Sequence, residues 1–192
     1  MVRPLDPELT EWLRYRLDVL CVAQVALRLR STWQGDVPAV DIRFDGKTVV
    51  VGKATVFTNP AIEAGVIHGR ALLEFLGFKL KKGSCHALAM EKPSRKDDRH
   101  LGHVEVPWPV LPDAFSGLQV LEKPAEEALA YLLWTANKGL AHSTGAFTAH
   151  ENSIALLELS MGLVRELMVR YVYQPLGQTA PPPTVQIQRR VD

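Results

Sequence analysis

The sequence predicts a mainly α protein: a four-helix bundle with an inserted β-hairpin and an extended C-terminal tail. Four long segments repeat apolar residues at helical spacing, one short segment alternates around an Asp-Gly pair, and the end of the chain is rich in proline. A chain of 192 residues has the size of one domain. We therefore expect residues 1–176 to share one core and 177–192 to form the tail.

The composition excludes several classes of protein. Hydrophobic residues make up 47% of the chain and charged residues 22%, which is typical of globular domains. The net charge of +1 gives no overall field that would attract nucleic acid or a membrane surface. The longest apolar stretch, Leu17 to Leu29, is interrupted by polar residues and is too short to cross a bilayer. We expect a cytoplasmic protein with no membrane partner, in which Cys21 and Cys85 are free thiols.

The first helix begins at Asp6-Pro7-Glu8, which combines an N-cap acceptor, an entry proline and a first-turn acid, and it runs to about Arg30. A β-hairpin follows between Pro38 and Thr58, because apolar residues alternate on both sides of Asp45-Gly46. A two-residue turn there predicts three cross-strand pairs and an apolar face that covers the helices. The predicted pairs are Phe44 with Lys47, Ile42 with Val49, and Val40 with Val51.

The second helix is predicted over about 60–79, with Asn59 as its N-cap, and residues 79–112 are predicted to be mostly loop. The third helix runs from about 121 to 141. The fourth starts at the capping-box pattern Thr148 to Glu151 and carries an apolar stripe as far as Tyr171. In the tail, Thr184 to Gln188 alternates like a short edge strand.

Two polar side chains on the second helix are candidates for a site. His68 shares the apolar stripe of the helix, so it is either a core histidine with a hydrogen-bonding neighbour or one wall of a cleft. Arg70 is four residues before Glu74, which is the spacing of a surface ion pair. The alternative is that His68 and Arg70 face the same cleft as groups from the third helix.

The third helix ends in the most unusual feature of the sequence, the cluster Asn137-Lys138-x-x-x-His142, followed by Thr144. Lys138 and His142 are four residues apart and share a face. A lysine and a histidine also suit the negative end of a helix dipole, so a plain helix end is the alternative. Asparagine and glycine are poor helix formers, and local misfits of this kind often mark sites.

The long loop carries Asp97 and Asp98 close to His100 and His103. Paired carboxylates beside histidines could hold a metal, but a solvated charged loop explains them equally well. Phosphate-binding glycine loops, nucleophile elbows, metalloprotease helices and Cys-x-x-Cys pairs are absent from the sequence. We therefore expect no metal and no cofactor.

Taken together, these motifs resemble a widespread group of bacterial helical-bundle proteins of uncharacterised activity. Its members read roughly as His-x-Arg-x-Leu-Leu-x-Phe-Leu, then Asp-Asp, then Asn-Lys-x-x-Ala-His-x-Thr. The resemblance covers about residues 60–175 and implies that three separated segments converge on one pocket. The matching positions are His68, Arg70, Leu72, Leu73, Phe75 and Leu76; Asp97 and Asp98; and Asn137, Lys138, Ala141, His142 and Thr144.

A looser resemblance is to the HEPN superfamily of helical bundles, which are often RNases of toxin or defence systems. Asn137-Lys138-x-x-x-His142 has the spacing and helical position of the HEPN site. The resemblance implies that His142 is catalytic and that Arg70 or Lys138 contacts phosphate. Asn137 stands where the family has an arginine that would stabilise phosphate charge, so the sequence favours simple binding over cleavage.

The sequence thus predicts that the protein binds a small or anionic ligand in a polar pocket. The predicted lining is His68, Arg70, Asp97, Asp98, Asn137, Lys138, His142 and Thr144. One alternative is a HEPN-like RNA-binding protein or ribonuclease, with His142 and Arg70 as the catalytic pair. Another is a structural or interaction protein in which the polar cluster is an internal hydrogen-bond network. A second copy of the chain is a further expected partner.

Overall fold

The computed structural model describes residues 5–92, 99–111, 113–118, 120–139 and 152–185. Within these residues the fold is mainly α, as predicted, with four α-helices and two small antiparallel hairpins. The helices are α1 (Pro7–Ser31), α2 (Thr55–Phe75), α3 (Glu122–Trp134) and α4 (Ser153–Met168). The strands are β1 (Ala39–Phe44), β2 (Lys47–Lys53), β3 (Phe78–Leu80) and β4 (Leu88–Met90). Two short π-helical turns follow α3 and α4, at Thr135–Gly139 and Val169–Tyr173.

Helix α1 begins as the sequence predicts. The Asp6 carboxylate accepts a hydrogen bond from the Leu9 backbone N–H at 2.8 Å, and Pro7 and Glu8 occupy the first turn. This cap satisfies a backbone donor that has no partner within the helix. The start of α1 is thus determined by neighbours in the sequence.

The helices form one closed bundle around a core of leucine, valine and alanine. Helix α1 runs antiparallel to α2, because the ring of Trp12 contacts that of Phe75 at one end and Arg30 hydrogen-bonds Asn59 at the other. Helix α3 packs against α2 and α4, and α4 packs back on α1, where Arg28 pairs with Glu158. Leu13, Leu72 and Leu129 are among the side chains that are fully buried between them. Within the described residues, no helix is both long enough and apolar enough to cross a membrane.

Small residues bring α1 and α2 unusually close. A Cβ added to Gly65 would lie 2.2 Å from the Cβ of Ala23 on α1, and one added to Gly69 would lie 3.4 Å from a methyl of Leu20 on the same helix and 2.9 Å from a methyl of Leu132 on α3. Because glycine has no side chain, the two backbones can approach within van der Waals contact at this crossing. This close contact fixes which side chains of α1 face which side chains of α2.

The β1–β2 hairpin forms around the predicted turn, since Asp45 and Gly46 both have positive φ. Its predicted register is wrong beyond the turn. Phe44 does pair with Lys47, but a bulge then places Ile42 opposite Val50 and Val40 opposite Gly52. Three consecutive valines on β2 carry no alternation, so the sequence could not distinguish the two registers.

The prediction that the apolar face of this hairpin covers the helices is also wrong. Its two strands pack mainly on each other, and Phe44 and Val51 are 68% and 74% exposed. Among the described residues, only the face that carries Ile42 and Val50 is half-buried. Gly52 on that face lies near Val56 at the start of α2. The hairpin therefore projects from the bundle instead of lying over it.

Helix α2 begins at Thr55, earlier than the predicted start at Asn59-Pro60, and it ends at Phe75. Pro60 lies inside the helix. The turn that precedes it is held by the backbone N–H of Thr58, which donates to the carbonyl of Ala54, and Thr58 itself is buried. Tertiary burial thus extends the helix beyond a proline that usually marks a helix start.

The segment predicted as a long loop contains most of the β3–β4 hairpin and a 3-10 helix, Leu101–Val104, and a second 3-10 helix, Asp113–Phe115, follows it. A carboxylate of α3 holds the hairpin: Glu126 Oε1 accepts a hydrogen bond from the Leu88 backbone N–H at 2.9 Å. Strands of three residues are too short for an alternating pattern to be recognised. The described part of this segment is thus mostly loop, as predicted, with a short hairpin that depends on a contact between residues far apart in sequence.

The remaining boundaries differ by smaller amounts. Helix α3 ends as an α-helix at Trp134, earlier than the predicted residue 141, and α4 begins at Ser153. The predicted capping box from Thr148 to Glu151 lies outside the described residues. In the tail, Thr184 hydrogen-bonds the Asp18 carboxylate at 3.0 Å, and neither Thr184 nor Val185 belongs to a strand. The rest of the predicted edge strand lies outside the described residues.

Candidate functional site

The predicted site residues fall into two groups. The structure describes His68 and Arg70 on α2, and Asn137 and Lys138 in the π-helical turn after α3. The other four lie outside the described residues: Asp97, Asp98, His142 and Thr144. The nearest described neighbour of the Asp pair is Arg99, which follows it in the sequence and pairs with Glu8 in the first turn of α1.

Arg70 makes the surface ion pair that its spacing allows. Its guanidinium donates to the Glu74 carboxylate at 2.7 Å, and both side chains are exposed. A pair of this kind stabilises a helix by only a few tenths of a kcal/mol. Positions two apart on a helix lie roughly 200° apart around it, so His68 and Arg70 point to different flanks of α2.

His68 faces α1, where it meets an arginine. Arg16 contacts the Nδ1 atom of His68 at 2.9 Å, and the ring of Tyr15 meets the imidazole edge-on with centroids 5.1 Å apart. A guanidinium can only donate, so Nδ1 accepts and the proton of the neutral ring is on Nε2. Burial lowers the pKa of His68, and the positive charge of Arg16 lowers it further. The ring is therefore held in its neutral form.

Arg16 is half-buried and lies over the indole ring of Trp12, with its guanidinium carbon 4.1 Å from the ring centroid. Its Nε atom is buried and has no hydrogen-bond partner among the residues that the structure describes. In the described part of the chain, Arg16 makes no ion pair with a carboxylate. Burial lowers the pKa of Arg16, but arginine stays protonated in proteins, so the charge is retained without a counterion there.

We call Trp12, Tyr15, Arg16 and His68 the Arg16–His68 cluster. Its three α1 residues lie on one flank of that helix because positions four apart share a face. The close crossing at Gly65 then brings α2 near enough for His68 to reach Arg16. Sequence reasoning did not single out Trp12 or Arg16 as site residues. The available signals were the four-residue spacing of those two and the small residues Gly65 and Gly69 on α2.

Asn137 and Lys138 lie where the α-helical geometry of α3 changes. Thr135–Gly139 forms a π-helical turn in contact with α2, and Asn137 and Lys138 within it are exposed. Thr135 in the same turn is fully buried. Burial raises the pKa of the neighbouring Tyr131 phenol, and the polar side chains of Thr135 and Ser153 partly offset that rise. The poor helix formers of this segment thus coincide with a real local departure from α geometry.

The loop histidines have structural partners. The rings of His100 and His103 are in tilted contact with centroids 4.0 Å apart, and their Nδ1 atoms hydrogen-bond to the backbone around the 3-10 helix at Leu101. No group of three potential ligands for a metal ion occurs among the residues that the structure describes. Next to this loop, a cavity of about 450 Å³ is lined mainly by apolar groups around Trp108 and Leu111.

No protein-family model, curated protein or solved structure matches this chain. The resemblances drawn from its motifs therefore stay predictions, and the chemistry of the described residues carries the functional argument.

Proposed function

We propose that the protein binds a small anionic ligand, such as a carboxylate or a phosphate monoester, at the Arg16–His68 cluster. The observation that supports this is the half-buried guanidinium of Arg16, which has a buried Nε without a partner and no ion pair in the described part of the chain. Taking a charge partly out of water is costly unless something compensates for it. An anionic ligand would supply that compensation.

The donors of the cluster suit such a ligand. Arginine presents a planar set of N–H groups that matches the two oxygens of a carboxylate or phosphate. The stacking of Arg16 on Trp12 holds that plane in one orientation before the ligand arrives, which lowers the entropic cost of binding. The Nε2–H of His68 adds a directed donor, and the exposed Tyr15 offers a phenol at the rim. The cluster therefore combines one positive charge with neutral donors.

This proposal retains part of the pocket predicted from the sequence. His68 is common to both, while Trp12, Tyr15 and Arg16 are new. A second wall built from Asn137, Lys138 and His142, with Asp97 and Asp98, stays a prediction.

The test is calorimetric titration and thermal shift with inorganic phosphate and phenyl phosphate. We expect both probes to raise the melting temperature of the wild type. Arg16→Gln should weaken binding by roughly tenfold or more, because it removes the charge and the paired donors. Arg14→Gln is the matched control: it removes the same charge two residues away on an exposed site that pairs weakly with Glu11. Equal effects of the two substitutions, or no binding by the wild type, would overturn the proposal.

A second candidate function is RNA binding or cleavage of the HEPN type. It is supported by the π-helical turn, because such turns occur frequently at functional sites and this one presents Asn137 and Lys138 to solvent. In this hypothesis His142 is the catalytic group, and Lys138 or Arg70 contacts phosphate. Purified wild type and His142→Ala would be incubated with RNA side by side. Cleavage by the wild type alone supports the hypothesis, and equal cleavage by both, or by neither, removes the ribonuclease.

A third candidate is a structural role for the polar cluster at the end of α3. The buried Thr135, whose hydroxyl acts on the phenol of the buried Tyr131, favours an internal network at that position. If His142 belongs to such a network, His142→Ala should lower the free energy of unfolding by about 1–3 kcal/mol without affecting any ligand. An unchanged melting temperature would exclude this role for His142.

A further inference from the structure

We propose that two copies of this chain pair through the free edge of strand β1 and form a continuous four-stranded antiparallel sheet. The pairing is centred on Ile42, which lies opposite Ile42 of the second copy. This surface is separate from the Arg16–His68 cluster, and the proposal does not depend on ligand binding.

The hairpin presents apolar surface that its own chain does not cover. Phe44, on the same face of β1 as Ile42, is 68% exposed, and Val51, on the opposite face of the hairpin, is 74% exposed, while Ile42 and Val50 are half-buried. A hairpin of two strands is marginally stable by itself and gains stability from further strands or a covering surface. Among the described residues, β1 has backbone ladder contacts only with β2, so its other edge has no strand partner.

The two edges of the hairpin differ in a way that selects β1. Strand β2 carries lysines at both ends, Lys47 and Lys53. It also contains the bulge, which lies between the residues that pair with Ile42 and Arg43 and interrupts the regular spacing of the strand. Lysines and bulges are the features that protect sheet edges against pairing with another chain. Paired about its centre, β2 would also place Lys47 opposite Lys53 of the second copy twice. Strand β1 has no lysine or proline between Ala39 and Phe44.

The charges of β1 are complementary to themselves in one register. When Ile42 lies on the two-fold axis, Asp41 of each copy is directly opposite Arg43 of the other, and Val40 is opposite Phe44. Both opposite-charge pairs then lie on one face of the sheet, and the apolar pairs lie on the other face with Ile42. Within one chain a guanidinium nitrogen of Arg43 is already 2.6 Å from a carboxylate oxygen of Asp41. Pairing would therefore create a ring of four alternating charges.

The size of the contact sets the expected affinity. Six residues from each β1 are fewer than the roughly 20–30 residues per side of a standard stable interface. The dimer should therefore be reversible and should depend on protein concentration. Its interface is the same patch on both copies, as closed two-fold symmetry requires.

The experiment is sedimentation velocity on the full chain over a micromolar to near-millimolar concentration series. The wild type should shift from monomer to dimer. Asp41→Arg and Arg43→Asp should each weaken the dimer by roughly tenfold or more, since each turns two attractive cross-strand pairs into repulsive ones. An equimolar mixture of the two variants should form a heterodimer, because β1 of one chain then carries two positive charges and faces two negative charges on β1 of the other.

Two control variants test whether the charge pattern of β1 itself is responsible. Lys53→Asp changes the charge on β2 and should leave the dimer unchanged. The double variant D41R/R43D restores the complementary pattern and should dimerise like the wild type. Recovery of association in the mixture also shows that both single variants are folded. A wild type that stays monomeric at every concentration, or single variants that dimerise as well as the wild type, would overturn the proposal.

Discussion

The close crossing of α1 and α2 can be tested by adding one methyl group. In Gly65→Ala the new Cβ would lie 2.2 Å from the Cβ of Ala23, and the Met161 methyl lies 3.3 Å away on another side. Two carbons in ordinary contact are about 3.5–4.0 Å apart, so the helices would have to separate by roughly 1.5 Å. The atom that must yield belongs to a short side chain fixed to the backbone, so rotation about a side-chain bond cannot relieve the contact.

The magnitude follows from two opposing effects. Overpacking of a well-packed core costs typically about 1–3 kcal/mol, and the greater helix propensity of alanine returns roughly 0.5–1 kcal/mol. We expect Gly65→Ala to lower the free energy of unfolding by about 2 kcal/mol at the helix crossing, because backbone movement is needed. For a chain of this length that corresponds to a melting temperature lower by roughly 4–8 °C.

Urea unfolding followed by circular dichroism measures the effect, and two variants make it specific. Gly162→Ala on α4 should be neutral or stabilising by up to about 1 kcal/mol, because its Cβ would meet only the Gln24 side chain at 3.5 Å. Adding Ala23→Gly to Gly65→Ala moves the methyl from one helix to the other. The double variant should be more stable than the sum of the two single effects predicts, with a coupling free energy of at least about 1 kcal/mol. A Gly65→Ala protein as stable as the wild type would refute the reasoning.

Three further predictions concern individual side chains. Because burial lowers the pKa of His68, folding stability should fall as the pH drops below the ordinary histidine value of about 6.5, and His68→Gln should reduce this loss in urea unfolding at several pH values. Burial raises the pKa of Tyr173 to about 12, so stability should fall above the unfolded value near 10. Tyr173→Phe should reduce that alkaline loss, measured in the same way. Glu126→Ala removes the acceptor of the Leu88 N–H and should cost about 1–2 kcal/mol by thermal unfolding, with Glu127→Ala as control.

Elements whose signals are local in sequence could be predicted. The cap at Asp6, the turn at Asp45-Gly46 and the ion pair of Arg70 with Glu74 each involve residues at most four positions apart. Each is stabilised by groups that are neighbours before any tertiary structure forms. The mainly α architecture follows from the apolar spacing of the helices in the same way.

The errors arose where distant residues decide the outcome. The start of α2 depends on the burial of Thr58, and the β3–β4 hairpin depends on Glu126, which is 38 positions from Leu88. The candidate site shows the same limit. His68 was found because a polar residue on an apolar stripe is unusual. Its partner Arg16 is 52 positions away, so no local pattern links the two residues.

The Arg16–His68 cluster is a candidate site because the partner of His68 is an arginine. A buried histidine that serves only the fold is satisfied by a carbonyl or a carboxylate, and a carboxylate would neutralise the pair. Here the partner is the basic residue Arg16, so the contact retains a full positive charge and holds His68 neutral. If the cluster served packing alone, Arg16→Met would keep the apolar stem on Trp12 and should be neutral or stabilising. The same substitution should abolish phosphate binding if the charge is retained for a ligand, so stability and binding would separate in one variant.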